Sequence, residues 1–178
     1  MKLLWIDLET TGLDPLQDSI LEVAWCVADL ADPFPAGPYH ERTIHFDSAV
    51  TDFIRDMHTK NGLLEECRWS TNTITIVERE LLACVPAETD KELKTVVAGN
   101  SVHFDLGFLR YHMPTLAKRL SHRCYDVSAV QLFARSLGMP KSEKGAEPHR
   151  ALEDVSASVL QAHSCVRWLQ TQTYLPHP

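Results

Sequence analysis

Residues 2–9, KLLWIDLE, set apolar side chains against charged ones in near alternation, the period-two pattern of a strand with a buried face. Residues 11–18 contain Gly12 and Pro15 and read as a turn. Residues 20–30 are apolar almost throughout, which predicts a second strand covered on both faces. Residues 31–38 hold three prolines and a glycine and read as a loop. Residues 39–46 alternate again and predict a third strand. Three such runs in succession predict an antiparallel meander.

Helical spacing then takes over. Ser70 or Thr71 is predicted to cap a helix with Ile74, Val77, Leu81 and Cys84 on one face. Thr95–Gly99 reads as a short buried strand, and residues 102–112 as a helix ended near Met113-Pro114. A short strand over 123–127 and a helix over 128–137 follow. Residues 138–148, with two prolines and two glycines, read as a loop. The last helix starts at about His149, and Leu152, Val155, Val159, Ala162, Val166 and Leu169 form its core stripe. Residues 176–178 read as a tail. Strands first, then helices alternating with short strands, predict an α/β sheet packed by helices in one domain over residues 1–178.

Against this pattern a few charged residues stand out. Asp7 and Glu9 are two apart on a strand, so both carboxylates leave one face, among apolar Leu4, Ile6 and Leu8. Two carboxylates held close on a buried strand repel unless a cation neutralises them, and Mg²⁺ or Mn²⁺ suits oxygen ligands. The common alternative for any D-x-E is a solvated strand face. Asp105 falls in the first turn of the helix after the buried strand, where a carboxylate equally serves the helix dipole. His149 stands at the entrance of the last helix, and Asp154 lies inside it, beside the core stripe. A histidine there has the unperturbed pKa of a general base.

Composition narrows the function classes. The chain has 178 residues and five cysteines, none in a C-x-x-C pair, which suits reduced thiols in a cytoplasm. The N-terminal apolar run is broken by Asp7 and Glu9, so neither a signal peptide nor a membrane anchor is expected. The net charge of −7 argues against a protein that grips long nucleic acid by its phosphates. On charge alone, a cytosolic enzyme with no nucleic acid is the favoured reading; if nucleic acid is the substrate, metal ions must supply local positive charge and a short strand fits better than a long one.

Each element alone is weak, but DLETTGLDP, GNSVHFDLGFL and HRALEDV occur in one order along the chain. Together they resemble the DEDD superfamily of 3′→5′ exonucleases, in its histidine-containing branch. The resemblance implies a ribonuclease H-like mixed five-stranded sheet flanked by helices. It implies that Asp7, Glu9, Asp105 and Asp154 hold two divalent cations, Mg²⁺ or Mn²⁺, while His149 takes a proton from water. HTKNGL at 58–63, GNS at 99–101, Met113-Pro114 with Leu116, and Arg123 with Asp126-Val127-Ser128 further resemble oligoribonucleases. That likeness implies short single-stranded RNA as substrate and a homodimer. By position it implies that Leu13 wedges against a base, that Phe53 and His58 line the substrate pocket, and that Ser101, Arg123 and Ser128 meet the terminal phosphate. Thr10, Phe53 and His122 depart from that subfamily, which has Met, Trp and Tyr there. DLETTG and HRALEDV also resemble proofreading and repair exonucleases, which implies single-stranded DNA instead. A catalytically silent nucleic-acid-binding module is the remaining alternative, and it would not need all five residues.

Overall fold

The computed structural model describes residues 1–35, 37–141 and 149–172. Most of the loop expected at 138–148, and the tail at 176–178, lie outside the described residues. The expected meander is present as β1 (Lys2–Thr10), β2 (Ile20–Asp29) and β3 (His40–Thr43). After it come α1 (Asp52–Lys60), α2 (Leu63–Trp69), α3 (Ile74–Cys84), β4 (Thr95–Gly99), α4 (His103–His112), α5 (Pro114–Ala117), β5 (Leu120–Asp126), α6 (Val127–Ser136) and α7 (Ala151–Thr171). The sheet runs β3-β2-β1-β4-β5, with β1 antiparallel to β2 and parallel to β4. This is the mixed five-stranded sheet flanked by helices that the motifs imply. Among the described residues no helix is long and apolar enough to cross a membrane.

Several boundaries differ from expectation. The third strand stops at Thr43, because Phe46 turns away to pack beside Leu63 and Cys67. Two helices, α1 and α2, fill the stretch before residue 70. Thr73 caps α3 by accepting from the Ile76 amide. Ser70 does not, since its hydroxyl donates to the Thr43 carbonyl at 2.7 Å. The fifth strand begins at Leu120, and Asp126 caps α6 by accepting from the Ser128 and Ala129 amides, so the helix starts at Val127. The last helix begins at Ala151, not at His149.

β1 separates two cores by alternation. Leu4, Ile6 and Leu8 face one layer with Val23 and Trp25 of β2, under Val77 and Leu81 of α3 and Phe108 and Leu109 of α4. Leu3 and Trp5 face the other with Cys26 and Ala28, under Ala151, Val155, Val159 and Ala162 of α7. Gly99 ends β4 where a Cβ would sit 2.8 Å from the Ile6 carbonyl oxygen, so only glycine lets β4 lie this close to β1.

Glu22, in the middle of apolar β2, is fully buried. It accepts from Arg150 Nη2 at 2.7 Å, from Arg150 Nε at 3.1 and 3.2 Å, and from the Ala151 amide at 2.8 Å. Arg150 also reaches Glu66 of α2 at 2.7 Å. The pair therefore docks the start of α7 onto β2 and α2. Arg150→Ala leaves the Glu22 carboxylate buried without its cation and should cost roughly 3–5 kcal/mol in urea unfolding. The double change Glu22→Gln with Arg150→Met should recover much of that loss; a single variant that unfolds like wild type contradicts the docking role.

Candidate active site

On β1 the side chains alternate, so Asp7 and Glu9 continue the face that holds Leu3 and Trp5. Past the upper end of the α7 core, that face turns from apolar to acidic. The register sets Asp7 opposite Ala24 and Glu9 opposite Glu22. Asp154, in the first turn of α7, is lowered onto the same spot. Its amide donates to the Arg150 carbonyl, so the helix is already regular there. One carboxylate oxygen from each of Asp7, Glu9 and Asp154 lies within 4.8 Å of the others.

The electrostatics of this group are unfavourable as it stands. Burial, then the charges of Asp105, Asp154, Glu9 and Glu22, hold the Asp7 carboxyl well above its usual range. Burial, then Asp154 and Glu22, push Glu9 up to about 8, with Arg150 opposing. Asp105 of α4 is 4% exposed, and burial raises it to about 8, against pull-down by the Asp105 and Leu8 amides. An all-oxygen set that resists ionisation without a counter-charge fits a hard divalent cation. Asp105 is near enough to act on Asp7 but is not one of the three converging groups.

Two grooves flank the carboxylates. One, of about 550 Å³, runs past Glu9 between Leu13, Phe53, Met57, His58 and Phe104. Leu13 is 82% and Phe53 70% exposed, a costly display of apolar surface. Thr10 also lines this groove, but its hydroxyl donates to the Gly12 carbonyl at 2.7 Å and so holds the turn that carries Leu13. The other groove, of about 320 Å³, runs past Asp7 and Asp154 and is polar, with Asn100, Ser101, Ser128, Gln131 and Arg135 among its walls. Ser128 Oγ accepts from the Ser101 amide at 3.1 Å, and Gln161 ties Asn100 to Gln131.

Ser101 and His149 have positive φ, 49° and 50°, the only such non-glycine residues among those described. Ser101 stands in the polar groove with Asp7 and Asp154, where strained backbone is commonly kept for function, whereas His149 lines neither groove. The His149 carbonyl accepts from Asn61 Nδ2 at 2.6 Å. His58 is 1% exposed. Its pKa is pushed down to about 4 by burial, then by His149 and Arg150, so the ring is neutral near pH 7. Arg123 is apart from all of this. It sits on edge strand β5 in a bidentate ion pair with Glu92 at 2.6 and 3.2 Å, and it lines neither groove.

A sequence profile of the family described as Exonuclease matches residues 4–161, from β1 into α7. The chain belongs to the exonuclease family. Within it, the chain is 35% identical to a probable oligoribonuclease of Schizosaccharomyces pombe over 88% of its length and 64% of that protein's. It is 36% identical to an oligoribonuclease of Corynebacterium diphtheriae, over 89% of its length and 78% of that protein's. The mouse mitochondrial oligoribonuclease is also 36% identical, over 89% and 69% of the two lengths. The E. coli ExoI–ssDNA complex superposes with a TM-score of 0.69 at 16% identity, covering 96% of this chain and 41% of that one. The RNase domain of yeast Pop2 superposes with a TM-score of 0.62 at 13% identity, over 97% and 78%. These likenesses show the ribonuclease H-like exonuclease fold. The E. coli structure is a complex with single-stranded DNA in its zinc-bound form.

Sequence reading overlooked Glu22, Arg150 and Asn61, which hold the site without lying in its grooves. A signal existed for Glu22, as a lone acid in an apolar strand. None existed for Asn61, an ordinary residue between two helices. Because Glu9 binds its proton more tightly folded than unfolded, the metal-free protein should lose stability as pH rises from about 4.5 to about 8. Below that window the full stability is present. Added Mg²⁺ or Mn²⁺ should raise Tm more at pH 8.5 than at pH 5.5, since the ligands must be deprotonated. A Tm indifferent to both ions at every pH would contradict a cation site here.

Proposed function

We propose that this chain is a 3′→5′ exoribonuclease that degrades short oligoribonucleotides to nucleoside 5′-monophosphates. The observation that carries this is the convergence of Asp7, Glu9 and Asp154 within 4.8 Å, with a groove on each side. The oligoribonuclease names of relatives at 35–36% identity support the short RNA substrate. So does the net charge of −7, which offers little to hold a long strand.

In this reading Asp7, Glu9 and Asp154 hold Mg²⁺ or Mn²⁺ directly, and Asp105 contributes through water. When bound, two such ions acidify a water and neutralise charge on the attacked phosphate and the leaving 3′-oxygen. His149 accepts the proton of that water. The hydroxide forms a bond to the terminal phosphorus, the bond to the 3′-oxygen breaks, and the terminal nucleotide leaves as a 5′-monophosphate. Leu13 and Phe53 give the bases apolar surface to stack on, and His58 lines the same groove. Ser101 and Ser128 offer hydroxyls to the terminal phosphate.

A homodimer completes the proposal. β5 is an edge strand with His122, Arg123 and Cys124 exposed, and α6 shows Leu132 and Phe133 to solvent, with Leu137 at its C-cap. A second copy covering both would bring Arg123 to the partner's substrate. Sedimentation should give twice the 20.1 kDa chain mass, and Leu132→Glu with Phe133→Glu should give the monomer. A wild-type monomer removes this role for Arg123.

The direct test is a time course with Mg²⁺ or Mn²⁺ on an RNA dinucleotide, an RNA 20-mer and a single-stranded DNA 20-mer. The dinucleotide should be cleaved fastest. Asp154→Ala should lose more than the roughly 100-fold that removing an outer partner of a metal site costs. DNA cleaved as fast as the dinucleotide would turn the reading to a DNA-directed exonuclease. No cleavage with either ion would turn it to a binding module.

A further inference from the structure

Proton acceptor and metal ligands come from distant parts of the chain: Glu9 from β1, His149 from the entrance of α7. Asn61 lies between them, as the C-cap of α1. We infer that Asn61 is a positioning residue, whose single amide group holds His149 by its carbonyl and holds His58 against Glu9. This rests on the roles proposed above for His149 and Glu9.

The chemistry of the contacts fixes which way the amide points. Its Oδ1 accepts from the Leu63 amide at 3.2 Å. Its Nδ2 faces the His149 carbonyl at 2.6 Å, where only a donor is tolerated. The same Nδ2 lies 3.5 Å from His58 Nδ1. A donor on that side favours an unprotonated Nδ1, which leaves the proton of the neutral ring on Nε2. Nε2 is buried and makes no fully formed hydrogen bond; Glu9 Oε2 faces it at 3.5 Å. A protonated Nε2 aimed at a metal-binding carboxylate is the arrangement that orients such a ligand from behind. On the other arm, the bond to the His149 carbonyl holds a residue whose φ of 50° is otherwise unfavourable. Arg150, clamped to Glu22 and donating to the Asn61 carbonyl at 3.4 Å, fixes the next residue along. Asn61 thus couples two catalytic elements without facing either groove.

The test uses Asn61→Ala and Asn61→Asp. The second is isosteric and keeps an acceptor for the Leu63 amide while losing the donor, so it serves if the alanine variant does not fold. Imidazole ¹⁵N NMR of the metal-free protein at about pH 9, above the range in which Glu9 keeps its proton, should show His58 protonated on Nε2 in wild type and mixed between tautomers in the variants. With the RNA dinucleotide, kcat should fall roughly 10–100-fold with KM changed less than about threefold. In a His149→Ala background the same substitution should cost several-fold less, because the imidazole that the carbonyl contact positions is gone even though the carbonyl itself remains. Unchanged His58 nitrogen shifts, an unchanged kcat, or an equal loss in both backgrounds would overturn the inference. A wild-type protein that cleaves nothing sinks the exonuclease reading instead, and the tautomer then decides alone what Asn61 holds.

Discussion

Like charges crowded on one end of a sheet are the constraint around which this molecule is arranged. Asp7, Glu9 and Glu22 share a face, and Asp154 is brought down over it. Glu22 is neutralised from within, by Arg150. That choice matters, because α7 must begin immediately above Glu22 for Asp154 to reach β1. The N-terminus of a helix favours a carboxylate but does not by itself offset the cost of burying one bare. With the guanidinium in place the same carboxylate also accepts from the Ala151 amide, an unsatisfied donor of the first turn. The acid that would have repelled the site becomes the anchor for its last member.

The fold serves this end by keeping its two faces chemically different. Below the site, both faces of β1 are oily and hold α3 and α4 on one side and α7 on the other. Above it, only the α7 face changes to carboxylate, while Leu8 stays in the opposite core. Asp7 and Glu9 are therefore stiffened by neighbours that take no part in the chemistry, and rigid supports make precise sites. The partly apolar and partly polar grooves continue the division on either side.

Much of this was legible in the sequence, for reasons that differ by element. β1, β2, β4 and α7 are long or strongly patterned, and their periods identified them. Asp7, Glu9 and Asp154 stood out as charge within those patterns, but only the order of the three motifs and their resemblance to a known family joined them into one site. α1 was not, since it buries only Ile54 and His58, too little for a stripe. α2 is a single seven-residue piece under β2. The cap of α3 moved to Thr73 because Ser70 found a tertiary partner, which no local rule contains. Asn61 and the Arg150–Glu22 pair join residues 88 and 128 positions apart. Such pairings exist only once the chain is folded. Arg123 was assigned by position, yet within one chain it faces Glu92.

The approach of Gly99 to the Ile6 carbonyl has one more consequence. β1 carries Asp7 and Glu9, and β4 leads straight into Asn100, Ser101 and the helix of Asp105. The seam between these strands is where the acidic half of the centre meets the half that lines the polar groove. Its width is set by main chain against main chain, with no rotamer in between. Side chains can hop as the temperature changes; that seam cannot widen without breaking the ladder on which the sheet stands. The gauge of the candidate centre is thus a property of the sheet itself, fixed before any ligand arrives.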